Sequence, residues 1–178
     1  MQPIQKSPPF LVTRVGSESD ALLRNLFELY CHDMSEWFDI DTTADGSYSH
    51  DTSSIWTTAA TVYLVTVNDA LAGFMIVGAG AASLSDVPCH DVHEFFILRK
   101  YRRQRIGHQM ARQVWGEHPG NWLVRVLNAN TPALQFWRAA ISSYATEGFR
   151  EEHRILNGQS WTFFQFASNK DTTAPRRA

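Results

Sequence analysis

TVYLVTV (61–67) and LAGFMIVGAG (71–80) are two almost unbroken apolar runs separated only by Asn68-Asp69-Ala70. Parallel strands need a crossover of a dozen or more residues, so runs this close pair as an antiparallel hairpin, even though the turn carries no glycine. The rest of the chain must cover that hairpin, and its periodicities say how. FLVTRV (10–15) is a short run enriched in β-branched residues and reads as a strand. ALLRNLFELYCHDMSEWF (21–38) has helical spacing, with Ser19 or Asp20 placed to cap it. From Asp39 to Thr58 the chain is rich in Asp, Thr, Ser and Gly, which predicts a long connection holding one turn of helix. DVHEFFILR is a further strand, and Ile106, Met110, Ala111 and Val114 mark a helix ending near Gly116 and Pro119. NWLVRVL is a strand. TPALQFWRAAISSY is a helix with Thr131 as cap and Pro132 in its first turn, and GFREEHRIL with SWTFFQFA forms a second hairpin around Asn157-Gly158. Strands alternate with helices in the middle and pair as hairpins at both ends, which predicts an α/β fold: a central mixed, mostly antiparallel sheet with helices on its faces. No linker or repeat divides the chain, so one domain over residues 1–168 is expected, followed by a disordered tail, NKDTTAPRRA (169–178).

The stretch RKYRRQRIGHQMARQVW (99–115) carries five basic residues in its first seven positions, in a protein whose formal net charge is only -2. A general polyanion binder is usually basic overall, so no nucleic-acid partner is expected. A strand ending near Arg99 and a helix beginning near Gly107 leave unpaired amides at the positive end of a helix, a site that attracts anions. Arg102, Arg103 and Arg105 add charge there, and Gly107 lets a ligand approach the backbone. Charge alone leaves a solvated arginine-rich helix start as an equal alternative. Cys31 and Cys89 make no disulfide framework, no apolar run reaches membrane-spanning length, and MQPIQKSPPF lacks the apolar stretch of a secretory leader. A cytoplasmic protein without a membrane partner is expected. His90 and His93 beside Cys89 lack a second ligand pair, so no metal is expected.

The residues around the basic stretch resemble a known pattern. FFILRKYRRQRIGHQMA is similar to the acetyl-coenzyme A signature of the GCN5-related N-acetyltransferase (GNAT) superfamily, Q/R-x-x-G-x-G/A after a strand. Arg102, Arg105 and Gly107 hold the first, fourth and sixth positions, the fourth departing from the family's glycine. About 25 residues on, NTPALQFW (130–137) resembles the family's N-x-x-A-x-x-F-Y segment, with Trp137 in place of the tyrosine. The run from LRNLFELY through EFFILRKYRRQ to ANTPALQFW looks like an uncharacterised bacterial acetyltransferase branch.

That resemblance implies a splayed sheet and transfer of an acetyl group from acetyl-coenzyme A to a primary amine by direct attack in a ternary complex. A coenzyme A-binding regulatory module of the same fold is the alternative. By the same resemblance, main-chain groups of Ile97, Leu98 and Arg99 border the pantetheine arm. The pyrophosphate would sit on the segment Arg102, Arg103, Gln104, Arg105, Ile106, Gly107 and His108, and Asn130 and Trp137 would complete the cofactor site. Ala133 and Phe136 are helix packing in this reading. Alternation puts Glu94 on the face of Phe96 and Leu98, which makes it the candidate general base, with His93 on the opposite face a weaker one. An indole does not act as an acid near neutrality, and Tyr144 lies two helical turns beyond Trp137, so the group that protonates the leaving thiolate is left open. The segment from Asp33 to Asp51 holds Asp33, Glu36, Asp39, Asp41, Asp45 and Asp51 without a lysine or arginine. This suggests a small-molecule or peptide acceptor that is cationic, with Trp37 or Phe38 adding a cation–π contact, and caps and turns are the competing explanation of the carboxylates. A monomer or homodimer is expected.

Overall fold

The structure, a computed structural model, describes residues 9–48 and 51–169. The chain's start, on which the reading of a missing leader rests, and the tail from residue 170 lie outside the described residues. Among the described residues seven strands and four α-helices follow in the order β1 (Phe10–Val15), α1 (Asp20–Met34), α2 (Ser53–Thr57), β2 (Thr61–Val67), β3 (Ala70–Ala79), β4 (His90–Ile97), α3 (Ile106–Glu117), β5 (Gly120–Leu127), α4 (Thr131–Tyr144), β6 (Phe149–Leu156) and β7 (Gln159–Ser168). The strands are ordered β1-β2-β3-β4-β5-β7-β6. The expected mixed sheet is present, with β4 and β5 its parallel pair and β1-β2, β2-β3, β5-β7 and β7-β6 antiparallel.

Both hairpins turn on left-handed residues. Asn68 and Asp69 have φ of 49° and 63°, and Asn157 and Gly158 have 50° and 76°. Asn and Asp tolerate this conformation better than other side chains, which is how the first hairpin dispenses with glycine. Three local expectations need correction. The first helix ends at Met34 and gives way to turns where continuation to Phe38 was expected. Ser35 Oγ donates to the His32 carbonyl at 2.8 Å, and both Trp37 N and Phe38 N return to Met34 O. Ser19 sits at the N-cap of α1 without a side-chain bond. Asp20 instead accepts from Thr52 Oγ1 and Trp56 Nε1, each at 2.7 Å, fastening the α2 region to the start of α1. The cap of α4 is Asn130, whose Oδ1 accepts the Ala133 N–H at 3.0 Å, and Thr131 is the first helical residue.

The chain forms two compact units. One contains residues up to Gly78 together with His93–Gly107, and the other Ala79–Val92 together with the residues from His108 on. In the first, Leu23, Leu26 and Phe27 of α1 bury themselves against Val62 and Leu64 of β2, Phe74 and Ile76 of β3 and Phe96 of β4. In the second, Trp115 of α3 packs on Trp122 of β5, Phe166 of β7 and Tyr144 of α4, with ring centroids 4.9–6.4 Å apart. Among the described residues no helix is long and apolar enough to cross a membrane.

Gly73 matters to the first unit because a Cβ there would lie 2.1 Å from the Phe96 carbonyl oxygen, so β3 and β4 meet at this point only without a side chain. The register of β3 on β2 also slips here, between Val65 and Thr66, as at a β-bulge. Gly73→Ala is expected to force the strands apart and lower the unfolding free energy by about 1–3 kcal/mol in urea titration. An unchanged midpoint would show that the strands yield without cost.

Candidate active site

Helix α1 and strand β4 together determine what surrounds Glu94. Side chains alternate along β4, so Glu94, Phe96 and Leu98 share one face, the face on which Phe96 and Leu98 pack into the α1 cluster. A carboxylate on such a face needs a partner. Tyr30 of α1 supplies it, its hydroxyl donating to Glu94 Oε2. The Tyr30 ring is held edge-on by Phe27, Phe74 and Phe96 at centroid distances of 5.6, 5.7 and 5.9 Å. Burial, reinforced by the Glu94 carboxylate, pushes the Tyr30 hydroxyl well above the ordinary tyrosine value, so it stays a donor at neutral pH. His93 occupies the other face as expected, its ring lying where a Cβ on Gly78 would be.

One turn beyond Tyr30, Asp33 gathers two arginines from the stretch that follows β4. Its Oδ1 accepts from Arg99 Nε at 3.0 Å and Arg99 Nη2 at 2.7 Å, and its Oδ2 accepts from Arg102 Nη2. Burial works to raise the Asp33 carboxyl, but the hydrogen bonds from Arg99 and Arg102 outweigh it and hold the group below its ordinary value. Arg102 also donates through Nε to the Ile97 carbonyl at 2.7 Å, and its guanidinium lies 5.7 Å from the Phe96 ring centroid. Arg99 and Arg102, expected at a ligand's edge, are exposed and also brace the loop through these bonds. Leu98 N donates to Ala72 O at 2.9 Å, so the Leu98 amide faces β3 and alternation turns the main-chain groups of Ile97 away from it, while the Arg99 carbonyl, inside the turn that follows, accepts the Arg102 N–H at 3.2 Å.

After a short 3-10 turn at Arg99–Tyr101, Arg103 and Arg105 adopt left-handed conformations with φ of 60° and 64°. The left-handed form costs a residue with a Cβ about 1–2 kcal/mol, which gives a physical reason for glycine at the position that Arg105 occupies in the resembled pattern. Gln104 steadies the turn by donating to the Lys100 carbonyl at 2.7 Å. Residues 102–105 are exposed, whereas Ile106 and Gly107 are buried in the first turn of α3. Anion-binding nests are built from left-handed residues alternating with right-handed ones, and helix starts likewise present unpaired amides to anions.

The remaining candidates lie in the second unit. His108 stands edge-on to Phe136 at 4.9 Å, in keeping with packing as the role of Phe136. Asn130, besides capping α4, is 9% exposed, and Trp137 is buried against Phe136 and Trp115. Tyr144 and Ser168 Oγ are 2.6 Å apart. Because Ser168 donates its proton to Trp115 O, Tyr144 is the donor between them and its hydroxyl is committed to the interior. His90 packs with His118 and Trp122, and among the described residues no group of three or more His, Cys, Asp or Glu is placed to hold a metal.

The acidic segment divides. Asp33 is paired with arginines, and Asp51 accepts the Ser53 N–H at 2.8 Å. Hydrogen bonds from Thr43 and then Ser47 lower Asp45 to about 2. Glu36, Asp39 and Asp41 are exposed. Tyr30 is a site residue absent from the sequence-based candidates, and Asp33 belongs with the arginines rather than with the acidic loop. The signal was the helical spacing of Leu23, Leu26, Phe27, Tyr30 and Asp33, which puts all five on one side of α1.

A family model described as the acetyltransferase (GNAT) family matches residues 24–140. Among solved structures, a GNAT-family acetyltransferase from Listeria monocytogenes is 16% identical, covering 89% of this chain and 94% of its own, with a TM-score of 0.61. The ribosomal-protein-S18-alanine N-acetyltransferase of Escherichia coli is 11% identical over 96% and 99% of the two chains, with a TM-score of 0.60. Arabidopsis thaliana Naa50, in complex with the bisubstrate analogue CoA-Ac-MVNAL, is 14% identical over 89% and 98%, with a TM-score of 0.55. No curated protein matches the sequence.

If Asp33 holds the loop together, Asp33→Ala is expected to speed amide hydrogen exchange across residues 99–105 by about tenfold, the loss of charge-assisted hydrogen bonds, while Asp45→Ala leaves those amides unchanged. Equal protection in both variants would show that the turn is self-supporting.

Proposed function

Since the chain belongs to the acetyltransferase (GNAT) family, we propose that it moves an acetyl group from acetyl-coenzyme A to a primary amine of a small molecule or peptide, by direct attack within a ternary complex. We read residues 1–168 as one acetyltransferase domain. The observation that carries the reading is the single stretch from Glu94 to Gly107. A carboxylate held by a tyrosine stands at one end of it, and a positively charged turn with two left-handed residues stands at the other.

In this reading the amides of residues 103–108 take the pyrophosphate, and the exposed side chains of Arg103 and Arg105 add charge around it. Main-chain groups at Ile97 and Arg99 receive the pantetheine amides as an added strand would, beside the bond from Arg102 that the Ile97 carbonyl already accepts. Asn130 and Trp137, carried by the second unit, remain cofactor candidates from the resemblance, the first as the cap of α4 and the second packed on Trp115 and Phe136. The amine nitrogen attacks the thioester carbonyl carbon, forming the C–N bond while the carbonyl electrons move to oxygen, where a main-chain N–H at the end of β4 steadies them. Before the attack Glu94, directly or through one water, takes the proton that the ammonium form of the amine carries; after it, collapse breaks the C–S bond, the nitrogen's extra proton is lost to solvent, and the thiolate takes a proton from solvent.

The acceptor is proposed to be cationic on the strength of Glu36, Asp39 and Asp41, since the other carboxylates of that segment have partners of their own. A cytoplasmic setting agrees with Cys31 and Cys89 being free thiols.

Three measurements test the reading. Thiol release from acetyl-coenzyme A, screened against amines matched in size but differing in charge, is expected to favour cationic acceptors at low salt. Tight coenzyme A binding with no amine-stimulated release would favour a regulatory module instead. Glu94→Gln is expected to lower turnover by roughly 10²-fold at neutral pH and to recover as the pH approaches the amine's own pKa, with coenzyme A affinity intact; a profile like that of the parent would remove Glu94 from the reaction. Arg105→Gly, which keeps the left-handed turn, is expected to hold coenzyme A affinity within about threefold by calorimetry, whereas Arg105→Val weakens it about tenfold through backbone strain. Equal losses would mean that the guanidinium, rather than the backbone, does the binding.

A further inference from the structure

Tyr30 shares its aromatic pocket with Phe27, Phe74 and Phe96, and a phenylalanine would fill that space without a hydroxyl to desolvate. The hydroxyl is therefore the part that the core does not require. The same holds across the bond: Glu94 stands on the face that Phe96 and Leu98 bury, where an apolar side chain would cost less. Replacing both members of a half-buried polar pair by apolar groups is often nearly neutral for stability, so the pair is poorly explained by stability alone. We propose that Tyr30 is a positioning residue for acetyl transfer, its hydroxyl holding Glu94 Oε2 so that the carboxylate meets the incoming amine in one orientation and as an acceptor. The inference rests on the reading of Glu94 as the base.

The surroundings suit that task. Tyr30 hangs from α1 while Glu94 stands on β4, so the bond ties the carboxylate to a second element. The ring has little freedom, because three aromatic neighbours contact it edge-on from α1, β3 and β4. Burial and the adjacent carboxylate keep the phenol protonated, so the donor persists wherever Glu94 is ionised. Cys31, the next residue, has its thiol raised by burial, then by Glu28 and Glu94, and stays neutral beside the pair. An ionised carboxylate offers about four lone-pair positions, and Tyr30 takes one of them.

The test compares the parent with Tyr30→Phe, Glu94→Gln and the double variant, using the amine that gives the fastest thiol release. Tyr30→Phe is expected to lower kcat about tenfold while the KM for acetyl-coenzyme A stays within about twofold, and to have no further effect when added to Glu94→Gln. Replacing Tyr30 with 3-fluorotyrosine, which keeps ring and donor, is expected to preserve kcat even if Tyr30→Phe lowers the melting temperature. If Glu94→Gln slows the reaction and Tyr30→Phe does not, Glu94 remains the base and the role of Tyr30 is overturned. The same follows if Tyr30→Phe costs as much in the Glu94→Gln background as in the parent. If Glu94→Gln leaves kcat unchanged, the base assignment fails first and Tyr30 has nothing to position.

Discussion

The contact on which most else depends is the packing of α1 against β3 and β4, where Phe27 stacks on Phe74 at 5.0 Å and both sit near Phe96. A helix that buries Leu23, Leu26 and Phe27 has no further choice about where Tyr30 and Asp33 go, because residues spaced three and four apart share a face. Tyr30 arrives at Glu94, and Asp33 arrives at Arg99 and Arg102. The apolar register of one helix thereby fixes both ends of the stretch from Glu94 to Gly107. Arg102 closes the arrangement, since it holds Asp33 through one nitrogen and the last carbonyl of β4 through another.

Such fastening is needed because the turn itself is unfavourable. Two arginines in left-handed conformations cost about 1–2 kcal/mol each relative to their ordinary basins. A free loop would relax toward those ordinary basins. The hydrogen bonds that Arg99 and Arg102 donate to Asp33, and that Arg102 donates to the Ile97 carbonyl, act against that strain. All four arginines of this stretch are exposed, and they divide by partner: Arg99 and Arg102 hold Asp33, while the proposed role of Arg103 and Arg105 is to add charge.

The elements were legible from sequence because their signals are local. The hairpins at Asn68-Asp69 and Asn157-Gly158, the run of apolar positions in α3 and the alternation of β4 each lie within a dozen residues, and each appears where periodicity puts it. Boundaries and caps were less legible, since Ser35, Asp20 and Asn130 each chose among several nearby partners of similar chemistry. The pairings that organise the candidate site were not legible at all. Tyr30 and Glu94 are 64 positions apart, Asp33 and Arg102 are 69, and nothing in a carboxylate's immediate neighbours says which distant donor will reach it. Asp33 reads from sequence as one more charge in an acidic loop. Only the docking of α1 separates it from Asp45, which is satisfied by its own turn.

The substitution at Trp137 bears on where the proposed reaction places its chemical burden. Trp137 is buried among Trp115 and Phe136, and the Tyr144 hydroxyl is committed to Ser168, so neither offers a proton to a departing thiolate. At pH 7 an alkyl amine with a pKa of about 10.4 is neutral only about once in 2,500 molecules, a cost of about 4.6 kcal/mol. A thiol with a pKa of about 8.5 carries a mismatch of only about 2 kcal/mol, and its thiolate leaves readily without help. Removing a proton from the amine is therefore the larger task, and assisting the leaving group the smaller. In the proposed reaction, with Glu94 as the base, the tyrosine-held carboxylate on β4 would serve the larger of the two costs, and the buried indole on α4 would leave the smaller one to solvent.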